Sequence, residues 1–301
     1  MSLLPPVPEM LPLGKNGPEI GPIAWGMWRL GGSRADAAIL VRAALDSGIS
    51  LLDTADIYGF DGSRGFGGAE SLLGDVLRSD SGIRGKAVIA TKGGIRPPLP
   101  YDQSEAYLKT AIDGSLRRLR IDRIDLYQIH RPDILAHPQE IARVLEDAVK
   151  SGKIGLFGVS NFTTAQVDTL QSLLRLPLVS TQPEVSPLRI ECLENGEIDH
   201  ALRLNLRPLA WSPLAGGRLL RPTNERGRAV AAALDAVGND QGVSRSVAAY
   251  SWLMAHPAGI VPIIGSQRPE RIREAAAAVG VRWTRQRWYD VLVAARGERL
   301  P

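Results

Sequence analysis

The sequence lacks most of what would tie it to several common classes of protein. Its single cysteine, Cys192, rules out an internal disulfide and fits a reducing cytoplasm. In "IECLENG" that cysteine reads as a packed thiol, not a nucleophile. No apolar run nears the roughly 20 residues that cross a bilayer. The opening "MSLLPPVPEM" has neither the basic segment nor the apolar segment of an export signal, so a cytoplasmic chain without a membrane partner is expected. His130, His137, His200 and His256 show no H-E-x-x-H spacing and no clustered Asp, Glu or Cys, so no metal site is expected. Lysine is scarce, six against 30 arginines, which makes each lysine worth inspecting. The basic residues behind the net charge of +4 are scattered, without the polybasic block of a nucleic-acid binder. "GFDGSRGFGGAE" has glycines at suggestive intervals, but no strand leads directly into it, so it reads as a flexible loop entering a helix.

What the chain does have is alternation. Eight strand-like runs, "PIAWGMW", "ISLLDTA", "KAVIATK", "IDLYQIH", "IGLFGVS", "LVSTQPEVS", "RPLAWSPL" and "GIVPIIGS", are separated by segments with helical spacing. Parallel strands joined by helical crossovers follow from this order, and eight such units match a closed (β/α)8 barrel. A doubly wound open sheet is the alternative, but no glycine-rich fingerprint follows the first strand. "LPLGKNGPEIGPI" reads as an N-terminal hairpin turning at Asn16-Gly17 and plugging the barrel's N-terminal end. "TRQRWYDVLVAARG" reads as an extra C-terminal helix. With no linker-like shift in composition, residues 1–301 read as one domain of class α/β.

In such a barrel the chemistry sits at the C-terminal strand ends. Asp53 ends the second strand, with Tyr58 in the loop after it. Lys92 ends the third strand and His130 the fourth. Ser160 and Asn161 end the fifth, and Gln182 lies on the sixth. A free phenol, with a pKa near 10, gives up its proton reluctantly at neutral pH, and a nearby ammonium lowers that value. Lys92 can serve as that ammonium if Asp53 keeps it charged. Tyr58 is then a general acid and His130 a hydrogen-bond donor to a carbonyl oxygen. No side chain here is an obvious hydride donor, so a redox cofactor is implied.

These motifs resemble the aldo-keto reductases in order and over nearly the whole chain. "LLDTADIYG", "ATKGG" and "YQIHRPD" are similar to the segments that carry that family's catalytic tetrad, here Asp53, Tyr58, Lys92 and His130. The resemblance implies NADP(H), ahead of NAD(H), and a small-molecule carbonyl substrate, with the chain acting as a monomer. Met27, Trp28 and Asp53 would approach the cofactor from the first two strands. Ser160, Asn161 and Gln182 would hold the nicotinamide carboxamide. In "AWSPLAGGRL", Trp211 would stack on the nicotinamide while Ser212, Leu214, Gly216 and Arg218 line the pyrophosphate. "PIIGSQRPERIREA" would bind the adenosine end through Gly265, Ser266, Gln267, Arg271 and Glu274. Many members have a lysine where Gly265 stands and an asparagine where Ala275 stands. A 2′-phosphate is then left to Arg271, Ser266 and Arg268. Trp28, Tyr58, His130 and Arg131 would line the substrate pocket.

Two other readings compete. A barrel aldolase could use Lys92 as a Schiff-base nucleophile, which leaves Asp53, Ser160, Asn161 and Gln182 without a joint purpose. A non-catalytic NADP(H)-binding sensor or regulatory subunit could share the fold, which leaves the tetrad unexplained.

Overall fold

The protein's structure is a computed structural model describing residues 2–15, 17–60, 62 and 64–300. Strands β1 (Leu11–Pro12) and β2 (Glu19–Ile20) form the antiparallel N-terminal hairpin, with Leu11 opposite Ile20. Gly17 lies between them, while Asn16 of the expected turn lies outside the described residues. The same is true of Asp61 and Ser63 in the glycine-rich loop, which leads into a helix at Gly68–Ser79 as expected.

The eight further strands close a barrel of parallel strands. They are β3 (Ala24–Gly26), β4 (Leu51–Asp53), β5 (Val88–Gly93), β6 (Ile124–Ile129), β7 (Ile154–Ser160), β8 (Ser180–Gln182), β9 (Arg207–Ala210) and β10 (Val261–Ile264). β10 closes the ring by pairing with both β9 and β3. The architecture is the (β/α)8 barrel with an N-terminal hairpin and a further helix at Arg285–Arg296.

Strand alternation sorts the side chains. Leu51, Ala90, Leu126, Leu209 and Val261 fill the barrel interior, and Leu11, Leu13 and Ile20 of the hairpin pack beneath them. Leu52, Ile89, Tyr127 and Phe157 point outward, into the layer between strands and helices. The lower interior is therefore an apolar plug, and buried polar side chains such as Lys92, Gln128 and Ser180 form a layer above it, toward the mouth.

One element escaped the sequence pattern. The helix Glu225–Gln241 is alanine-rich, so its buried stripe of Val230, Ala231, Leu234 and Val237 contrasts weakly with the opposite face. Its ends carry ordinary signals: Asn224 caps the Gly227 amide at 2.8 Å, and Gly242 closes it at φ 68°. Among the described residues, no helix is long and apolar enough to cross a membrane.

Candidate active site

The strand ends deliver a buried ion pair to the mouth of the barrel. Lys92 Nζ donates to Asp53 Oδ2 at 2.7 Å and to the Thr54 carbonyl at 2.8 Å. Asp53 Oδ1 accepts from Gln182 Nε2 at 3.1 Å and from Gln128 Nε2 at 3.4 Å. A carboxylate so supplied can stay buried without the cost of an unpaired charge. Gln128 was not foreseen as a contributor. Its signal was its position, two residues before His130 on the same strand, so that it faces inward as Lys92 does. Gly158 leaves room for this layer, since a Cβ there would lie 2.1 Å from Ser180 Oγ.

Burial pulls the Lys92 ammonium down, but the charges of Asp53 and Tyr58 outweigh it and hold the lysine above its ordinary value. The Tyr58 ring stands beside this pair at the cleft. Lys92 Nζ lies 5.1 Å from its centroid, and the His130 ring meets it edge-on at 5.7 Å. Here one expectation is corrected. Burial pushes the phenol above its ordinary value, and the Lys92 ammonium offsets only part of that rise. The net direction is up, because the pocket that brings the cation close also removes water from the hydroxyl. Burial, with the Lys92 and Arg131 charges beside it, drives the His130 imidazole well below its usual range, so the ring is neutral at physiological pH. Its Nδ1 is sealed off without a partner. The single ring proton is then best placed on Nε2, where it can be donated.

Around this centre opens a cleft of about 1020 Å³. Asp53, Tyr58, His130 and Arg131 line it, as do Trp28, Ser160, Asn161, Gln182, Trp211, Ser212, Leu214, Gly216, Gly265, Ser266, Arg271 and Glu274. Lys92 lies behind this surface. Three expected cofactor contacts also fall outside the lining. Met27 is turned fully into the strand–helix core, because its side chain alternates away from that of Trp28. Arg218 folds back to the Ala215 carbonyl at 2.9 Å, and Gln267 turns to the Ser266 carbonyl at 3.3 Å. Arg268 is also outside the lining, paired with Glu270 at 2.5 Å. Lining residues that were not foreseen include Arg29, Arg64, Ile95, and Ser244, Ser246 and Tyr250 from the helix that begins at Arg245. Ser244 caps that helix, and the way its end faces is set by packing.

The backbone at the site is bent to shape. Asn161 has φ 60° and Ser212 φ 55°, left-handed values that cost a non-glycine residue on the order of 1 kcal/mol or more. The turn lets Asn161 Oδ1 accept from Trp211 Nε1 at 2.9 Å while its Nδ2 donates to Ser160 Oγ at 2.8 Å. Ser160 Oγ in turn donates to the Gln182 carbonyl at 2.9 Å. An indole fixed by an amide, beside hydroxyl and amide groups, suits a flat heteroaromatic ring bearing a carboxamide. Gly216 and Gly265 leave bare backbone, with nothing within 4 Å of where a Cβ would stand, and Arg271 adds a cation. This donor set fits a nicotinamide dinucleotide. Among the described residues no cluster of His, Cys, Asp and Glu could hold a metal ion.

Comparison with known proteins gives the family and fold of the chain. The chain is 66% identical to a 6-dehydroglucose reductase of Novosphingobium aromaticivorans, over 100% of both chains. It is 37% identical to a 6-dehydroglucose reductase of Agrobacterium fabrum, over 94% of this chain and 96% of the other. A crystal structure of a thermostable aldo-keto reductase with the inhibitor epalrestat matches the fold with a TM-score of 0.81, at 23% identity, covering 95% of this chain and 99% of that one. The sequence profile of the aldo/keto reductase family matches residues 22–291, and with it the chain is assigned: it is an oxidoreductase of the aldo/keto reductase family.

Proposed function

We propose that this protein reduces the aldehyde of a sugar of the 6-dehydroglucose type to the alcohol, with NADP(H) as cofactor. The observation that carries the chemistry is the buried Lys92–Asp53 pair, 2.7 Å apart, set behind a cleft-facing Tyr58 and beside a neutral His130. The two relatives named for 6-dehydroglucose support the substrate class. Bound cofactor would supply the hydride.

The chain's own residues do the rest. Tyr58 keeps its proton at neutral pH because its phenol is held above its usual value. It passes that proton to the carbonyl oxygen as negative charge builds there. Lys92 stabilises the phenolate left behind, and Asp53 keeps Lys92 charged. His130 donates a hydrogen bond from Nε2–H to the same carbonyl oxygen and orients it. Trp28, 66% exposed at the cleft, offers an apolar face to a sugar ring, and Arg131 offers hydrogen bonds to its hydroxyls. Ser266 and Arg271 would meet a 2′-phosphate, since arginine pairs well with phosphate. The held charge on Lys92 counts against a Schiff-base aldolase, which needs the free amine.

The test is direct. Purified protein with NADPH should lose nicotinamide absorbance when 6-dehydroglucose is added. Unchanged absorbance with that sugar and with a panel of simple aldehydes would return the protein to the sensor reading.

A further inference from the structure

Asp56 is the third polar group of "LLDTADIYG", and the carbonyl chemistry leaves it without a task. Its side chain is fully buried, and neither carboxyl oxygen has a hydrogen-bond partner. Tyr127 Oη, on the outward face of β6, is likewise buried and unpartnered. The two groups converge at Gly93. A Cβ there would stand 2.0 Å from Tyr127 Oη and 3.2 Å from Asp56 Oδ2. Leaving a buried polar atom unpaired costs about 1–3 kcal/mol. Two such atoms at one bare backbone position, with the second Asp56 oxygen also unpartnered, call for an occupant with two to four polar partners, which describes a buried water.

The charged neighbours are already committed. Glu70 accepts from Thr91 Oγ1 at 2.6 Å and from Arg118 Nε at 2.7 Å, while Lys92 is held by Asp53 and the Thr54 carbonyl. Tyr107 donates to the Ile95 carbonyl at 3.3 Å. Desolvation, then the negative charge of Glu70, push the Asp56 carboxyl well above its ordinary value against the pull of Arg118, of the adjacent Ile57 amide and of Lys92. That shift favours the protonated carboxyl, and in that form the group brings a donor as well as acceptors to the space it faces.

The location gives the pair its purpose. Asp56 lies between Asp53 and Tyr58, Gly93 follows Lys92, and Tyr127 precedes His130 by three residues. The Asp56 amide donates to the Lys92 carbonyl and the His130 amide to the Gly93 carbonyl, each at 2.9 Å. We propose that Asp56 and Tyr127 hold one buried water behind the tetrad, tying the ends of β4, β5 and β6 together, and so act as positioning residues for Tyr58, Lys92 and His130. The catalytic half of this statement rests on the reductase reading given above.

A crystal structure of the wild-type protein that resolves buried waters tests the site itself. One water within hydrogen-bond distance of both Asp56 and Tyr127 Oη is expected. A direct Asp56–Tyr127 bond, a metal ion or empty space would overturn the proposal. The positioning role is read from Tyr127→Phe, which keeps the ring and its packing. Its kcat for aldehyde reduction should fall roughly tenfold to a hundredfold, as small misplacements do, with the dissociation constant for NADPH unchanged. Asp56→Leu should behave similarly, and Asp56→Asn, which can still hold a water, should recover most of the loss. Wild-type kcat in Tyr127→Phe, or Asp56→Asn as impaired as Asp56→Leu, would defeat the positioning role. A wild-type enzyme inactive on every carbonyl would defeat the reductase reading instead, and the water in the crystal would still stand or fall separately.

Discussion

At the N-terminal end of the barrel, Leu11, Leu13 and Ile20 close over Leu51, Leu126, Leu209 and Val261. The charged group there, Arg207, is satisfied by the carbonyls of Pro12, Ala258 and Gly259, each at 3.0 Å. At the C-terminal end, β4, β5, β7 and β8 carry Asp53, Lys92, Ser160 and Gln182 within their last two residues, and the turn after β7 places Asn161 at φ 60°. His130 Nδ1 and both Asp56 oxygens have no protein partner there. One end satisfies its half-buried arginine with backbone acceptors and gains stability by packing. The other holds charge, strain and unmet hydrogen bonds within a few residues. Reactive groups need that surplus, and the apolar plug is what lets the fold tolerate it.

The sharpest way to break this division is Tyr58→Phe. The change deletes one hydroxyl at the polar end and leaves the ring against His130. Aldehyde reduction should fall by at least about 10²-fold, the scale of general acid catalysis, while NADPH affinity holds. Near-normal turnover in steady-state assays would mean that the polar end is structural after all.

Lys92→Met should come next, and it should damage both stability and rate. It strands the Asp53 carboxylate in the barrel, and removing one partner of a buried pair costs about 3–5 kcal/mol. It also removes the cation opposing the burial of the phenol, so the Tyr58 pKa should climb further. Reduction needs the protonated phenol, so the alkaline limb of the pH–rate profile should move to higher pH in whatever activity remains. A second sign follows from linkage. Lys92 is held above 10.5 in the folded state, so its contribution to stability is complete below that value and is lost as pH rises through the folded pKa. Denaturation curves of the wild type should show this alkaline loss, and those of Lys92→Met should lack it.

Leu13→Ala reverses the test. Leu13 is fully buried in the plug, and truncating such a residue costs about 2–5 kcal/mol through the cavity it leaves. The melting temperature should drop while kcat at 25 °C stays within about twofold, since transition-state stabilisation resides at the other end. A parallel fall in kcat would show that the two ends are coupled.

This contrast also explains what was legible in the sequence. Inside a barrel the side-chain period is two and the strand end is fixed, so polar residues at strand ends must converge. Asp53, His130, Ser160 and Gln182 were readable on that basis. Met27 was misplaced for the same reason, because one step along a strand flips the face. The helix Glu225–Gln241 was missed where alanine blurs the apolar stripe, and Ser244 and Tyr250 because a helix's orientation depends on tertiary packing. The direction of the Tyr58 shift was misjudged because sequence locates charges but not the water excluded around them. Asp56 was visible from the start as a polar residue beside a core strand, yet its partner Tyr127 looked like an ordinary core aromatic.

The smallest expected effect lies at the outer part of the cleft, where Arg271 and Ser266 line the surface and Gly265 supplies no charge. If Arg271 is the main cation for a 2′-phosphate, Arg271→Ala removes one charge-assisted hydrogen bond, worth about 1.5–3 kcal/mol. The KM for NADPH should then rise roughly tenfold to a hundredfold, the equivalent of that energy. The KM for NADH, which has no such phosphate, should hardly change. kcat with saturating NADPH should also hold, because Arg271 would contribute equally to ground state and transition state. Melting temperature should be unaffected, as Arg271 forms no ion pair among the described residues. An equal rise in both KM values would show that the residue serves the adenosine or the loop and not the phosphate, and the preference for NADPH would then need another source in the cleft, with Arg29, Arg64, Arg131 and Arg245 the remaining cations to test.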